Sequence, residues 1–285
     1  MLSRRNLISD STLVQETADL LQACGGCASA VEVVDAVFKL ANIDSALAGK
    51  LIGDLLGADP RFELGEDFQV NLVERDHDGR MLADTDFIVV DVEAAGTKLL
   101  PSRIIEIGAY HVSGGRIVAR FEKLLNPGTP IPPFISSLTG ISDGLVQHSP
   151  TFAEIADEWL DFVGDGVLVA HNAPFDLRVL NHEVGRAFPG LRMGNISLCT
   201  IALSRHLIPE LRRYRLDAVA EHFGIEISAR HRAGSDALAT AHILLRLLQQ
   251  MDELGIKNIG AARSFRLNPE ARRARRDEAQ LALDL

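Results

Sequence analysis

Five side chains in this 285-residue sequence have the types and spacing that acid–base or metal chemistry requires. Asp91 and Glu93 stand two apart near the end of an apolar run, Asp86–Glu93 (DFIVVDVE). Side chains alternate along a strand, so both carboxylates project from one face. Carboxylates held together in apolar surroundings repel each other and lose hydration. A hard divalent cation with oxygen ligands offsets both costs. A frayed strand end that leaves both acids in water would do the same, and the pair alone does not choose between the two. Asp176 lies in HNAPFD, in the first turn of a helix behind Pro174, where an acid also suits the helix dipole. His231 and Asp236 are five apart in HRAGSDA, the histidine in a loop and the acid entering a long helix. Imidazole ordinarily titrates at about pH 6.5, which suits a base working near neutrality, although a lone histidine is more often a surface or core residue.

These residues need a frame of strands and helices, and the pattern after residue 86 supplies one. Asp86–Glu93 reads as a strand buried in a sheet centre. Ile104–Val112 and Arg116–Leu125 read as two more strands, joined by a hairpin turn at Ser113-Gly114-Gly115. Pro150 to Val163 reads as a helix with Phe152, Ile155, Trp159, Leu160 and Phe162 mostly on one side. Val167–Ala170 is a short buried strand followed by a helix over about Pro174–Ala187, and Leu216–Phe223 and Ser235–Met251 are further helices. Antiparallel strands followed by βαβ units imply an α/β mixed sheet.

Taken together, Asp91-x-Glu93, Asp176 and His231-x4-Asp236 resemble the three motifs of the DEDDh (DnaQ-like) 3′→5′ exonucleases, over about residues 84–252. Leu138-Thr-Gly-Ile-Ser142, Phe152 and the segment from Leu168 to Asp176 (LVAHNAPFD) extend the likeness. It is greatest to the branch that holds the proofreading epsilon subunit of bacterial DNA polymerase III and its stand-alone relatives. The resemblance implies a ribonuclease H-like mixed sheet flanked by helices, and two Mg²⁺ or Mn²⁺ ions held by Asp91, Glu93, Asp176 and Asp236. Asp91 would bridge the ions and His231 would take a proton from the attacking water. A pair of ions about 3.5–4 Å apart can stabilise both the attacking and the leaving oxygen of an in-line displacement. The same resemblance places Ala95, Gly96, His171, Asn172 and Phe175 around the terminal nucleotide, and makes nucleic-acid 3′ ends the substrate, single-stranded DNA before RNA. One departure stands out: Ala94-Ala95-Gly96 replaces the Thr-Thr-Gly usual in relatives, which removes a hydroxyl contact to the 3′ end and leaves the metal ligands untouched.

The chain divides into residues 1–75, a charged linker over 76–85, the exonuclease-like region 86–255 and a basic tail over 256–285. In the first segment, helices are expected from about Asp10-Ser11-Thr12 to Ala23, over Ala30–Leu40, and over Ser45–Leu56 with Ser45 as cap. A hairpin follows at Arg61–Leu64 and Phe68–Leu72. This order resembles a winged helix-turn-helix domain. Its charge of -7 over residues 1–80 argues against a DNA-reading role and favours a protein partner of unknown identity. Cys24 and Cys27 form a CxxC without a second ligand pair at zinc-finger spacing, so a packed helix end is the better reading.

Arg272, Arg273, Arg275 and Arg276 cluster in the tail, and the last six residues, Gln280-Leu281-Ala282-Leu283-Asp284-Leu285, resemble the hexapeptide that docks bacterial proteins on the sliding clamp. In that mode Leu283 and Leu285 enter an apolar pocket while Gln280 hydrogen-bonds at its edge; the alternative is a short amphipathic end packed on the protein itself. The net charge of -10 does not decide against a nucleic-acid partner, because bound cations reverse the local sign. No apolar run reaches the roughly 18 residues that cross a bilayer, and three cysteines are too few for a disulfide framework, so a cytoplasmic protein is expected. An RNA 3′-end-trimming enzyme and a non-catalytic scaffold are the competing functions.

Overall fold

A computed structural model of the chain describes residues 7–57, 59–73, 78–96 and 102–266. The fold falls into two compact units, one holding the residues up to Asp76 with Val184–Gly194, the other His77–Glu183 and the residues from Asn195 onward.

The first unit begins with β1 (Leu7–Ser9), α1 (Thr12–Ala23), β2 (Cys27–Ser29) and α2 (Ala30–Val33), the last running on as a π-helical turn over Val34–Phe38. Ser29 and Glu32 form a capping box that fixes the start of α2, the hydroxyl accepting from the Glu32 amide and the carboxylate accepting from Ser29. The α3 helix (Ser45–Leu56) is capped by Asp44, whose side chain accepts from the Leu47 amide at 3.0 Å, and not by Ser45 as the sequence suggests. An Asp one residue earlier reaches that amide, and the serine becomes the first helical residue. The strands β3 (Phe62–Leu64) and β4 (Gln69–Leu72) follow, and β2, β4 and β3 form an antiparallel sheet in that order. Val14, Leu21, Val33, Ala48, Ile52 and Val70 are buried at the centre of this unit. Cys24 ends α1 and Cys27 opens β2; both thiols are exposed, so this helix end is not a packed one.

The second unit is built on a mixed sheet. Its strands are β5 (Phe87–Ala95), β6 (Arg103–Ser113) and β7 (Arg116–Leu124), and then, after α4 (Pro133–Thr139), α5 (Asp143–Val146) and α6 (Phe152–Val163), β8 (Val167–Ala170). The α7 helix (Ala173–Ala187) leads to β9 (Leu191–Met193), which pairs antiparallel with β1 within the first unit. Then come β10 (Ser197–Cys199), α8 (Thr200–Leu207), α9 (Leu216–His222), α10 (Ala233–Glu253) and α11 (Ile259–Ser264). The strand order is β10-β8-β5-β6-β7, with β5 parallel to β8 and antiparallel to β6. This is the ribonuclease H-like mixed sheet the sequence implied, and β5 is its central strand.

Phe87 and Val89 share a core with Ala237, Ile243, Leu244, Leu247 and Met251, so the odd-numbered face of β5 lies under α10. Gly108 on β6 makes that approach possible, since a Cβ there would collide with the backbone of Ala233 and Gly234. Residues 78–85 are tied to this unit: the Leu82 amide donates to the Lys257 carbonyl, and Arg263 pairs with Asp78. Among the described residues no helix is long and apolar enough to cross a membrane. The arginine cluster at 272–276 and the clamp-like residues Gln280, Leu281, Leu283 and Leu285 lie outside the described residues.

Candidate active site

Three elements bring the acids together. Asp91 and Glu93 continue the face that begins with Phe87 and Val89, so the apolar half of that face anchors β5 and the acidic half emerges at its end. Asp176 is in the first turn of α7 and only 3% exposed, with its Oδ1 accepting from the Val92 amide at 3.2 Å. That bond seats the carboxylate against β5 between Asp91 and Glu93. Asp236 is in the first turn of α10 and 5% exposed. Its position heads the buried stripe that runs through Thr240, Ile243, Leu244, Leu247 and Met251, so core packing of the helix sets the depth of the acid.

His231 sits in the loop before α10 with a left-handed backbone (φ 60°), and its amide donates to Asp236 Oδ2 at 3.1 Å. The ligand atoms of Glu93, His231 and Asp236 lie within 4.8 Å of one another. All five sequence-predicted catalytic residues therefore meet at the end of β5.

The electrostatics of the cluster are those of charges placed where charge is costly. Burial, then the neighbouring Asp176, Glu93 and Asp236 carboxylates, push the Asp91 carboxyl well above its usual range. Burial and the Asp236 and Glu106 charges raise Glu93 to about 7. Burial raises Asp176 to about 7 against the hydrogen bond from Val92, and burial raises Asp236 as well. Carboxylates whose charged forms are disfavoured by burial and by one another form an oxygen-rich donor set, which fits hard divalent cations such as Mg²⁺ or Mn²⁺. Asp91, Glu93, Asp176 and Asp236 would hold them.

The residues expected around a terminal nucleotide are placed less uniformly. Asn172 adopts a left-handed backbone (φ 82°) that turns the chain from β8 into α7, and its carbonyl accepts from the Phe175 amide. Phe175, in the first turn of α7 next to Asp176, is 37% exposed, with the Arg178 guanidinium 5.6 Å from its ring centre. His171 is different. Its Nδ1 lies 2.9 Å from the Thr200 hydroxyl and its Nε2 3.0 Å from the Tyr214 carbonyl. A carbonyl only accepts, so Nε2 carries the proton and Nδ1 accepts from Thr200. Burial drives this imidazole down to about 4, and it stays neutral. Its nitrogens brace the segment before α9 and leave only the ring for a nucleotide. Ala95 is buried, and Gly96 passes so close to Ser102 that a Cβ would lie 2.7 Å from the Ser102 Cα.

Sequence reading missed a supporting layer. Glu106, paired across the sheet with Glu93 and 6% exposed, accepts from Arg232 with both oxygens (2.6–3.1 Å) and from the Ala233 amide at 2.8 Å. It fixes the start of α10, and with it Asp236 and His231. Glu183 on α7 accepts from Arg103 Nε at 2.6 Å and from the Ile104 amide. A single acid within the apolar run RIIEIGAY was the available signal for Glu106. Arg230, whose Nη1 is 3.3 Å from Asp236 Oδ1, had no comparable signal.

Residues 88–244, more than half of the chain, match the Exonuclease family RNase_T. This chain belongs to the DEDDh family of 3′→5′ exonucleases. Among curated proteins it is 39% identical over 185 residues to the PolC-type DNA polymerase III of Caldanaerobacter subterraneus subsp. tengcongensis, covering 65% of this chain and 13% of that protein. It is 38% identical over 170 residues to the DNA polymerase III subunit epsilon of Aquifex aeolicus, covering 60% of this chain and 84% of that one. The chain thus spans about an eighth of the PolC-type relative and most of the epsilon subunit. Among solved structures, the nuclease domain of 3′hExo, described as a DEDDh family member bound to rAMP, aligns with a TM-score of 0.51 at 19% identity, over 59% of this chain and 94% of that one. At that identity the likeness shows the shared fold.

Proposed function

We propose that this exonuclease removes nucleotides from DNA 3′ ends, in proofreading or repair. The convergence of Asp91, Glu93, Asp176, Asp236 and His231 at the end of β5 is the observation that carries the reading. Water adds to the phosphorus of the terminal phosphodiester, the P–O3′ bond breaks, and a nucleoside 5′-monophosphate leaves a strand with a new 3′ hydroxyl. His231, held at the cluster by the hydrogen bond that its backbone amide donates to Asp236, takes the proton from the attacking water. The four carboxylates hold two divalent cations, which supply Lewis-acid stabilisation of the developing charge. Phe175 offers an apolar face to the terminal base, and Ala95 and Gly96 offer backbone to the terminal sugar.

DNA is preferred over RNA as substrate because relatives at 36–39% identity are named DNA polymerase III PolC-type or DNA polymerase III subunit epsilon. Gln280, Leu281, Leu283 and Leu285 would tether the enzyme to a sliding clamp, and the acidic N-terminal stretch, -7 over residues 1–80, suits a protein partner better than a nucleic acid. Truncation before Gln280 tests the tether: clamp binding is lost while cleavage of short oligonucleotides is kept. Full-length protein that binds no clamp contradicts it.

A further inference from the structure

The four acids of the site lie close to two arginines that are engaged in different ways. Arg232 is held by both oxygens of the buried Glu106 and belongs to the frame of α10. Among the described residues Arg230 makes one bond, from Nη1 to Asp236 Oδ1 at 3.3 Å, and its side chain is 37% exposed. The other Asp236 oxygen is taken by the His231 amide. An exposed guanidinium on a single long bond is easily displaced, because the pair gains little in high dielectric and orders a long side chain. Its charge nevertheless acts across the cluster, drawing Asp91, Glu93 and Asp236 back down against burial.

We propose that Arg230 is a displaceable counter-cation, which pairs with Asp236 when no divalent ion is bound and competes with the ion for that carboxylate. The inference rests on the divalent-cation reading of the site and adds a positioning residue to it. An ion that needs Asp236 Oδ1 must break the Arg230 bond, so the bond and the ion are antagonistic, and each weakens the other by the same factor. The arrangement keeps the emptied site folded, at the cost of weaker ion binding.

Mn²⁺ binding to the full chain, followed by loss of the free-ion electron paramagnetic resonance signal, tests this beside the melting temperature of the metal-free protein. Arg230→Gln is expected to tighten Mn²⁺ binding by about fivefold or more and to lower the metal-free melting temperature. Arg230→Lys, which keeps a cation, should stay within about twofold of the parent affinity. A merely structural Arg230 would move Mn²⁺ affinity the other way, because losing it would loosen Asp236. Unchanged or weaker Mn²⁺ binding by Arg230→Gln, with normal binding by the parent, overturns the proposal alone. A parent chain that binds no Mn²⁺ overturns the divalent-cation reading and the proposal together.

Discussion

Asp59 in the first unit and Asp176 in the second are both buried aspartates, 8% and 3% exposed, yet their surroundings treat the charge in opposite ways. Burial pushes Asp59 upward, but its carboxylate accepts from Arg61 Nε and Nη2, the Arg61 amide and the Ser9 amide, all at 2.8–3.0 Å, and the net shift is downward. Asp176 has only backbone amides as partners, with Asp91 and Glu93 as acidic neighbours, and burial takes it to about 7. The first arrangement is what folding alone selects, since buried charges are normally paired and hydrogen-bonded. The second costs stability, and shifts of that kind cluster at functional sites. Even inside the second unit the distinction holds, with Glu106 and Glu183 each held by an arginine at 2.6 Å, whereas Asp236 has a longer contact of 3.3 Å, to Arg230.

Substitutions can break this contrast, and the largest effect is expected at Asp91. Asp91→Asn should take 3′-end cleavage to background and, by removing repulsion, raise the melting temperature of the metal-free protein. Loss of cleavage with a lower metal-free melting temperature would mean that the carboxylate is structural. His231→Ala should lower turnover by about 100-fold or more while Mn²⁺ binding persists, measured by single-turnover cleavage beside a binding isotherm. Asp59→Ala should destabilise the first unit by about 2 kcal/mol in urea unfolding and leave cleavage of a short oligonucleotide intact. A loss of cleavage there would end the distinction between paired and unpaired acids.

The smallest effect is in pH. Glu93 and Asp176 have folded values of about 7, above those of an unfolded carboxylate, so the native state binds more protons between about pH 4 and 7. Metal-free stability is therefore present at low pH and lost as pH rises through 7, and the melting temperature should fall from pH 5 to pH 8. Divalent cations should cancel the trend, since binding them releases those protons. A metal-free melting temperature that rises over this range would contradict the shifts.

Much of the site was legible because its acids sit at the ends of strongly patterned elements. The alternation of DFIVVDVE put Asp91 and Glu93 on one face, and the buried stripe of α10 put Asp236 at its head. The boundaries of β6 and β7 followed from the Gly114-Gly115 turn between two strand-like runs. Three-residue strands such as β1, β2, β9 and β10 were not legible, because periodicity needs more residues than they contain. The cap at Asp44 was misplaced by one residue, within the usual ambiguity of helix ends. Glu106, Glu183 and Arg230 act through partners more than one hundred, eighty and six residues away, and only the longest of these separations had any trace in local pattern. The two ring bonds of His171 depend on Thr200 and Tyr214, which no local pattern links to it.

The most direct measurement follows 3′-labelled and 5′-labelled single strands of one sequence, as DNA and as RNA, with Mg²⁺ or Mn²⁺. The expected result is a DNA ladder that shortens from the 3′ end, releases nucleoside 5′-monophosphates, and disappears with EDTA or in Asp91→Asn. RNA cut while DNA is spared would keep the carboxylate centre and refute the DNA assignment. No cleavage of either strand by the metal-loaded chain would contradict the catalytic reading of the acids at the end of β5.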